Sequence, residues 1–354
     1  MRPQATNIQK AQRIESLTGL KAVAMLLLFW HHSVLPLPEH VDIGARACEF
    51  MFLVSGFLVG YNNFYKEGTE PTWNDSVQYV KKKVLKFWPL HMIALLMVLC
   101  KQLLYKEVNL LSIKTIVALV ADASLLQAWS PSSEIFFSFN GASWFLSALM
   151  FCYFMAPFLC TFMKNMRTAC KMFVAILIIR CFVEYVEQNA GGILGLNQHV
   201  SPVVRCMEFF MGMLLVPLIM WLKEHLPQST MTTLGVTLFE LLGLASIVVL
   251  SFRKNETWGR SKFVLMFCVF LVIFALDAGI ISKFFFLKPF RMFSSIQFEF
   301  YILHQAVIIS FTDFYLNIFQ TVGKVTAVTF VTIISFACLY KVAVRAVVRH
   351  IRTC

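Results

Sequence analysis

Apolar stretches succeed one another along the whole chain, at 17–37, 46–65, 84–105, 112–129, 142–163, 169–188, 202–222, 231–252, 261–280, 296–318 and 322–344. Most match the roughly 20 residues that a helix needs to cross a bilayer. In hydrocarbon every backbone N–H and C=O has to find a partner inside the protein, and a helix supplies those partners within one segment. The expected fold class is therefore all-α, a polytopic transmembrane helical bundle. No polar, Pro-rich or Gly/Ser-rich block of domain size interrupts the stretches, so a single membrane domain fills residues 1–354. With 58% hydrophobic and only 14% charged residues, the composition excludes a soluble enzyme.

The formal net charge of +12 does not point to nucleic acid, because the Lys and Arg residues cluster briefly between apolar stretches instead of following one polar face. They read as topology signals. Eleven crossings from a basic, cytoplasmic N-terminus would put Lys164, Arg167 and Lys171 outside, together with the tail carrying Lys341, Arg345, Arg349 and Arg352, against the positive-inside bias. Stretch 112–129 carries Lys114, Asp122, Ser124 and Gln127; taken as re-entrant, it leaves about ten spans with both termini cytoplasmic. The loop with Arg253, Lys254, Arg260 and Lys262 then falls outside, against the same rule. The expected location is the cell membrane. Ten cysteines are scattered without metal or disulfide spacing, and the first apolar stretch lacks a small-residue cleavage site and reads as a retained anchor.

Polar groups within spans are costly and mark candidate sites. The first span, LTGLKAVAMLLLFWHHSVLP, carries Lys21 near its cytoplasmic end and His32 near the other. Eleven residues make about three turns, so the two share a face roughly 16 Å apart, with His31 a quarter-turn away. Lys21 has the option of snorkelling, and His32 is either a general base in a partly dry cavity or a histidine bonded between helices. Glu49 opens the second span and is a candidate orienter for that imidazole, or a wet interfacial carboxylate. Ser55 and Gly56 suit close helix packing, and the spacing of a nucleophile elbow is absent. Trp144 reads as an interfacial anchor, Arg205 and Glu208 as a local ion pair, and Asp277 has no assigned role. His304, beside Glu299, Tyr301 and Gln305, is a second deep histidine and strengthens the case for a polar cavity. The polar loop 62–83 ends in Lys81, Lys82 and Lys83 and continues to Lys86, where anionic lipid, an anionic ligand or topology alone accounts for the charge.

LTGLKAVAMLLLFWHHS aligns without a gap to the LDGLRAIAILLVFLFHS pattern of the acyltransferase 3 family, EFMFLVSGF resembles its DLFFVLSGF, and KVLKFWP its RxxR before Pro. SWFLSALMFCYFMAP is similar to TWSLSVEEQFYLLFP, with Leu149 where the family has an acid, and RCMEFFMGMLL and FYILHQAVI follow in the family order. The chain thus resembles that family of integral membrane acyltransferases from about residue 13 to 310. The resemblance implies transfer of an acyl group, usually acetyl from acetyl-CoA, to a hydroxyl of a cell-surface or lipid-linked glycan. It places His32 at the family histidine, with Lys21, Lys83 and Lys86 at donor-binding positions, and matches Trp144, Tyr153, Arg205 and His304. The implied partners are acyl-CoA, the saccharide acceptor and membrane lipid; no metal and no nucleic acid are expected. The rival reading is a multi-pass transporter or exporter, which intramembrane histidines also fit.

Overall fold

A helix covers each apolar stretch. The computed structural model describes residues 13–37, 41–64, 70–189, 195–251 and 260–353, so Arg253 and Lys254 lie outside the described residues. The α-helices are α1 (Glu15–His32), α2 (Ile43–Val59), α3 (Trp73–Leu104), α4 (Ile113–Ala123), α5 (Ser133–Phe136), α6 (Trp144–Leu159), α7 (Met166–Asn189) and α8 (Pro202–Leu214). They continue with α9 (Val216–His225), α10 (Thr230–Ser251), α11 (Ser261–Ala275), α12 (Ile280–Phe284), α13 (Lys288–Ser294), α14 (Gln297–Phe319) and α15 (Val322–Thr353). The described residues contain no strand.

Seven helical segments are long and apolar enough to cross a membrane. They are Ile43–Asn62, Trp73–Leu104, Gly141–Met163, Pro202–His225, Thr230–Val249, Gln297–Phe319 and Val322–Val348. α1, α7 and α11 are not among them; α11 has only 15 residues. α4, the stretch expected to be re-entrant, has 11 residues and rises only about 16 Å, too little to cross. Lys81, Lys82 and Lys83 were expected on a loop. The structure places them on α3 instead, because Thr72 and Asp75 form a capping box and start the helix at Trp73.

The bundle is apolar outside as well as inside, as a lipid-facing protein requires. α2 is almost wholly buried at the centre, whereas α10 and α15 stand at the periphery with Leu238, Leu241, Val248, Val331 and Leu339 facing outward. Central packing depends on two glycines. A Cβ on Gly56 would lie 1.8 Å from the Phe209 carbonyl oxygen, and one on Gly212 would lie 1.9 Å from that of Leu53, so the α2 and α8 backbones touch.

Carboxylates tie distant elements together by capping helix starts. Asp277 accepts from the backbone N–H groups of Glu15 (3.2 Å) and Ser16 (3.1 Å) and so caps α1, which fixes the end of the helix that carries Lys21. Glu184 of α7 accepts from the Ser261 N–H at 2.8 Å, and from the Arg260 N–H and Ser261 hydroxyl, at the start of α11. Glu240 of α10 does the same for Ile281 and Ser282. A negative group is stabilised there by the unpaired amides and the helix dipole.

Candidate active site

α1 runs between two chemically opposite ends. At its start, Lys21 feels the charges of Arg13 and Lys86, and Lys86 in turn acts on Lys83, so four cations share this end. Lys83 Nζ sits over two rings, Tyr79 at 5.0 Å and Tyr153 at 4.8 Å, a cation–π clamp that fixes its stem, while Lys86 is exposed. Trp144 and Tyr153 are nine residues apart on α6, about 13 Å along the axis, so Tyr153 belongs to this basic end and not to the histidine site.

At the other end of α1 lies a cavity of about 360 Å³. α1 contributes Leu28, His31 and His32; α2 contributes Gly44 and Cys48; the 137–144 segment contributes Phe137, Gly141, Ala142 and Trp144; α14 contributes Tyr301 and Gln305; His199 completes the wall. His32 is half-buried, with its ring centroid 4.9 Å from that of His31 and 5.3 Å from that of His304. Gly44 makes room for the His31 ring, since a Cβ there would lie 2.5 Å from it.

His304 is 1% exposed and stands behind His32. Its Nδ1 is 2.5 Å from the Tyr301 carbonyl oxygen, which only accepts, so Nδ1 carries the proton and Nε2 presents a lone pair. That Nε2 is buried without a hydrogen-bond partner. The Tyr301 hydroxyl donates to the Ala142 carbonyl at 2.6 Å and pins the cavity floor to α14.

Glu49 is not the orienter of His32 expected from the sequence. It is 1% exposed and its Oε2 is 2.6 Å from Arg46 Nη1, one turn earlier on α2, with Arg260 Nη1 3.8 Å from Oε1. A guanidinium at i−3 on the same helix takes the carboxylate before any ring across the bundle can. Trp144 is likewise not an interfacial anchor: it is 4% exposed, and its ring lies 4.6 Å from that of His199.

Arg205 and Glu208 do form the local pair, at 2.5 Å, within a larger buried network. Arg205 also donates from Nε to the His199 carbonyl (2.8 Å) and from Nη2 to the Gln198 carbonyl (2.6 Å), folding the loop back so that His199 faces Trp144. Arg180 bonds Glu184, Glu208, Gln198 and Ser261 from the other side. Burial, then the charges of Arg205 and Arg260, push the His199 imidazole down to about 2, so it is neutral at ordinary pH.

A third polar cluster anchors the short α4. His91 Nε2 donates to the Asp122 carbonyl at 2.9 Å, and Gln127 and Ser143 donate to Asp122 Oδ1 at 2.8 and 2.7 Å. These groups are fully buried and lock the segment that precedes Trp144.

The structure thus brings His32, His304 and Trp144 together, gathers Lys21, Lys83 and Lys86 at the opposite end, and sets Glu49 and Arg205 behind the wall. His31, His199, Cys48, Tyr301 and Gln305 join the cavity without having been singled out as site residues. A family model described as an acyltransferase domain, that of the acyltransferase 3 family, matches residues 14–341. Among curated proteins, the acyltransferase MdmB of Streptomyces mycarofaciens is 28% identical over 146 residues, 38% of this chain; the match spans 36% of that protein. No solved structure matches the chain.

Proposed function

Since the chain belongs to the acyltransferase 3 family, we propose that it is an acyl-CoA-dependent O-acyltransferase of the cell membrane. It moves an acetyl or similar group to a hydroxyl of a cell-surface or lipid-linked glycan, with His32 as general base. The observation that supports this reading best is the placement of His32 on the wall of a cavity it shares with His31, His199, Tyr301 and Gln305, at the far end of a helix whose start gathers Arg13, Lys21, Lys83 and Lys86. Phosphates of the donor are held at the cations, and the pantetheine arm extends along α1 over roughly 16 Å to bring the thioester to the imidazole. In this reading the helices make ten crossings, with α4 re-entrant, both termini cytoplasmic and the His32 cavity opening to the far side.

In the proposed reaction the acceptor hydroxyl oxygen attacks the thioester carbonyl carbon while the bare nitrogen of His32 takes the hydroxyl proton. The new C–O bond forms, the C–S bond breaks with its electron pair on sulfur, and the imidazolium returns its proton to that sulfur. His304, its tautomer set by the Tyr301 carbonyl, backs the His32 ring in the place first given to Glu49. The Gln305 amide on the cavity wall is the N–H donor for the developing oxyanion. General-base assistance of this kind supplies about 10²–10⁴-fold in rate.

The test is label transfer from radiolabelled acetyl-CoA to a glycan acceptor by the purified chain. His32→Ala should abolish transfer while expression and membrane insertion stay normal; transfer at the unmutated rate refutes the assignment.

A further inference from the structure

A second chamber of about 480 Å³ adjoins the His32 cavity, the two sharing Phe137 and His199 in their walls. The proposed reaction leaves this outer chamber without a role, yet its chemistry is distinctive. Beside His199, its polar lining among the described residues consists of Asp42, Glu187, Gln188, Asn197, Gln198 and Arg260. The lone guanidinium is already engaged: its Nη2 is 3.7 Å from Asp42 Oδ2, and its Nη1 is 3.8 Å from Glu49 Oε1 and 3.2 Å from His199 Nδ1. His199 itself stays uncharged. Among the described lining residues, an anion entering here would face the Asp42 and Glu187 carboxylates, and the Arg260 guanidinium it would meet is already shared among Asp42, Glu49 and His199.

Carboxylates and carboxamides are planar groups that bond adjacent hydroxyls in pairs, the carboxamides both giving and accepting. Phe137, 47% exposed at the junction of the two chambers, adds a ring face for the C–H side of a sugar. This set contrasts with the four cations at the start of α1.

We infer that the outer chamber is a second acceptor subsite, and that the acceptor is an uncharged or amino-bearing oligosaccharide of at least two rings. The reactive ring lies over His32, and the next ring lies in the chamber against Phe137, Glu187 and Gln188. The identity of the reactive ring rests on the acyl-transfer reading; binding in the chamber does not.

The experiment measures equilibrium binding of labelled mono-, di- and trisaccharides of neutral hexoses and N-acetylhexosamines, matched with uronic acid counterparts, to the full chain in nanodiscs. Acetyl transfer from radiolabelled acetyl-CoA is read on the same panel. Disaccharides and trisaccharides that bind should do so about tenfold or more tightly than monosaccharides, and their uronate counterparts about tenfold more weakly. Gln188→Ala should remove the length advantage and leave monosaccharide binding unchanged, and Glu187→Lys should erase the discrimination against uronates. Uronates bound equally well or better, no dependence on length, no binding by any saccharide, or variants that behave as the unmutated chain would each overturn the subsite. Intact binding behaviour with no acetyl transfer would instead overturn acetyl-CoA as the donor in the acyl-transfer reading and leave the subsite standing.

Discussion

His199 shows how a single side chain escapes a reading of the sequence and still shapes the site. Periodicity marks helices, and His199 lies on a loop; it reaches the cavity wall only because Arg205, six residues on, bonds back to its carbonyl and to that of Gln198. Its neutrality has a measurable consequence. The folded chain holds this imidazole near 2, against 6.5 in the unfolded chain. Below about pH 6.5 the unfolded state therefore binds a proton that the folded state refuses, and stability falls as pH falls. In His199→Gln, which cannot titrate, the apparent unfolding temperature in detergent should drop less between pH 7.5 and 5 than it does in the unmutated chain; parallel slopes would place the ring in water. His32 and His304 were legible because a polar ring inside an apolar stretch has no routine explanation. His31 lies a quarter-turn from the face that Lys21 and His32 share, but α1 ends at His32 and both rings open onto the same cavity. Glu49 was visible as an intramembrane carboxylate, yet its partner was not, since choosing between Arg46 and His32 needed the distance across the bundle.

At the scale of elements the apolar stretches placed the helices, and Lys114, Asp122, Ser124 and Gln127 within 112–129 marked the short α4 as different. The start of α3 was missed because the capping box at Thr72 and Asp75 is a local polar signal lying outside the apolar stretch. The cross-element caps from Asp277, Glu184 and Glu240 could not be read at all, as each joins residues dozens to hundreds of positions apart. Gly56 was singled out for close packing, and its counterpart Gly212 shows how close. The added methyl of Gly56→Ala would sit 1.8 Å from a backbone oxygen, and that of Gly212→Ala 1.9 Å, so the helices must separate and no side chain can rotate to relieve the clash. Each substitution should cost at least about 1–3 kcal/mol. The pair together should cost less than the sum, because one separation relieves both contacts. Unfolding temperatures of the two single variants and the double variant test this; strict additivity would mean that the two contacts are independent.

Over the whole molecule, the separation of charge along α1 yields the sharpest test of where the donor lies. Lys21, Lys83 and Lys86 come from helices distant in sequence and meet at the start of α1, yet they are not equivalent: Lys83 is clamped between Tyr79 and Tyr153, whereas Lys86 is exposed. If these cations hold the phosphates of CoA, removing either side of the contact should have the same effect, and removing both should add little. Acetyl-pantetheine keeps the thioester and lacks the phosphates, so the unmutated chain should use it about ten- to a hundredfold less efficiently than acetyl-CoA, as expected for loss of charge-assisted contacts. Lys86→Ala should lower kcat/KM for acetyl-CoA by about tenfold and leave that for acetyl-pantetheine unchanged, and Lys21→Ala should behave likewise, with the acceptor KM constant in both. Lys86→Arg should restore the preference for acetyl-CoA, since a guanidinium also binds phosphate. Raising the salt concentration from 0.05 to about 0.5 M should narrow the gap between the two donors by shortening the Debye length. Lys83→Ala should differ in kind, losing folding stability along with donor use because it also empties the aromatic clamp. An equal fall in both donors' kcat/KM on Lys86→Ala would move the phosphates elsewhere on the molecule.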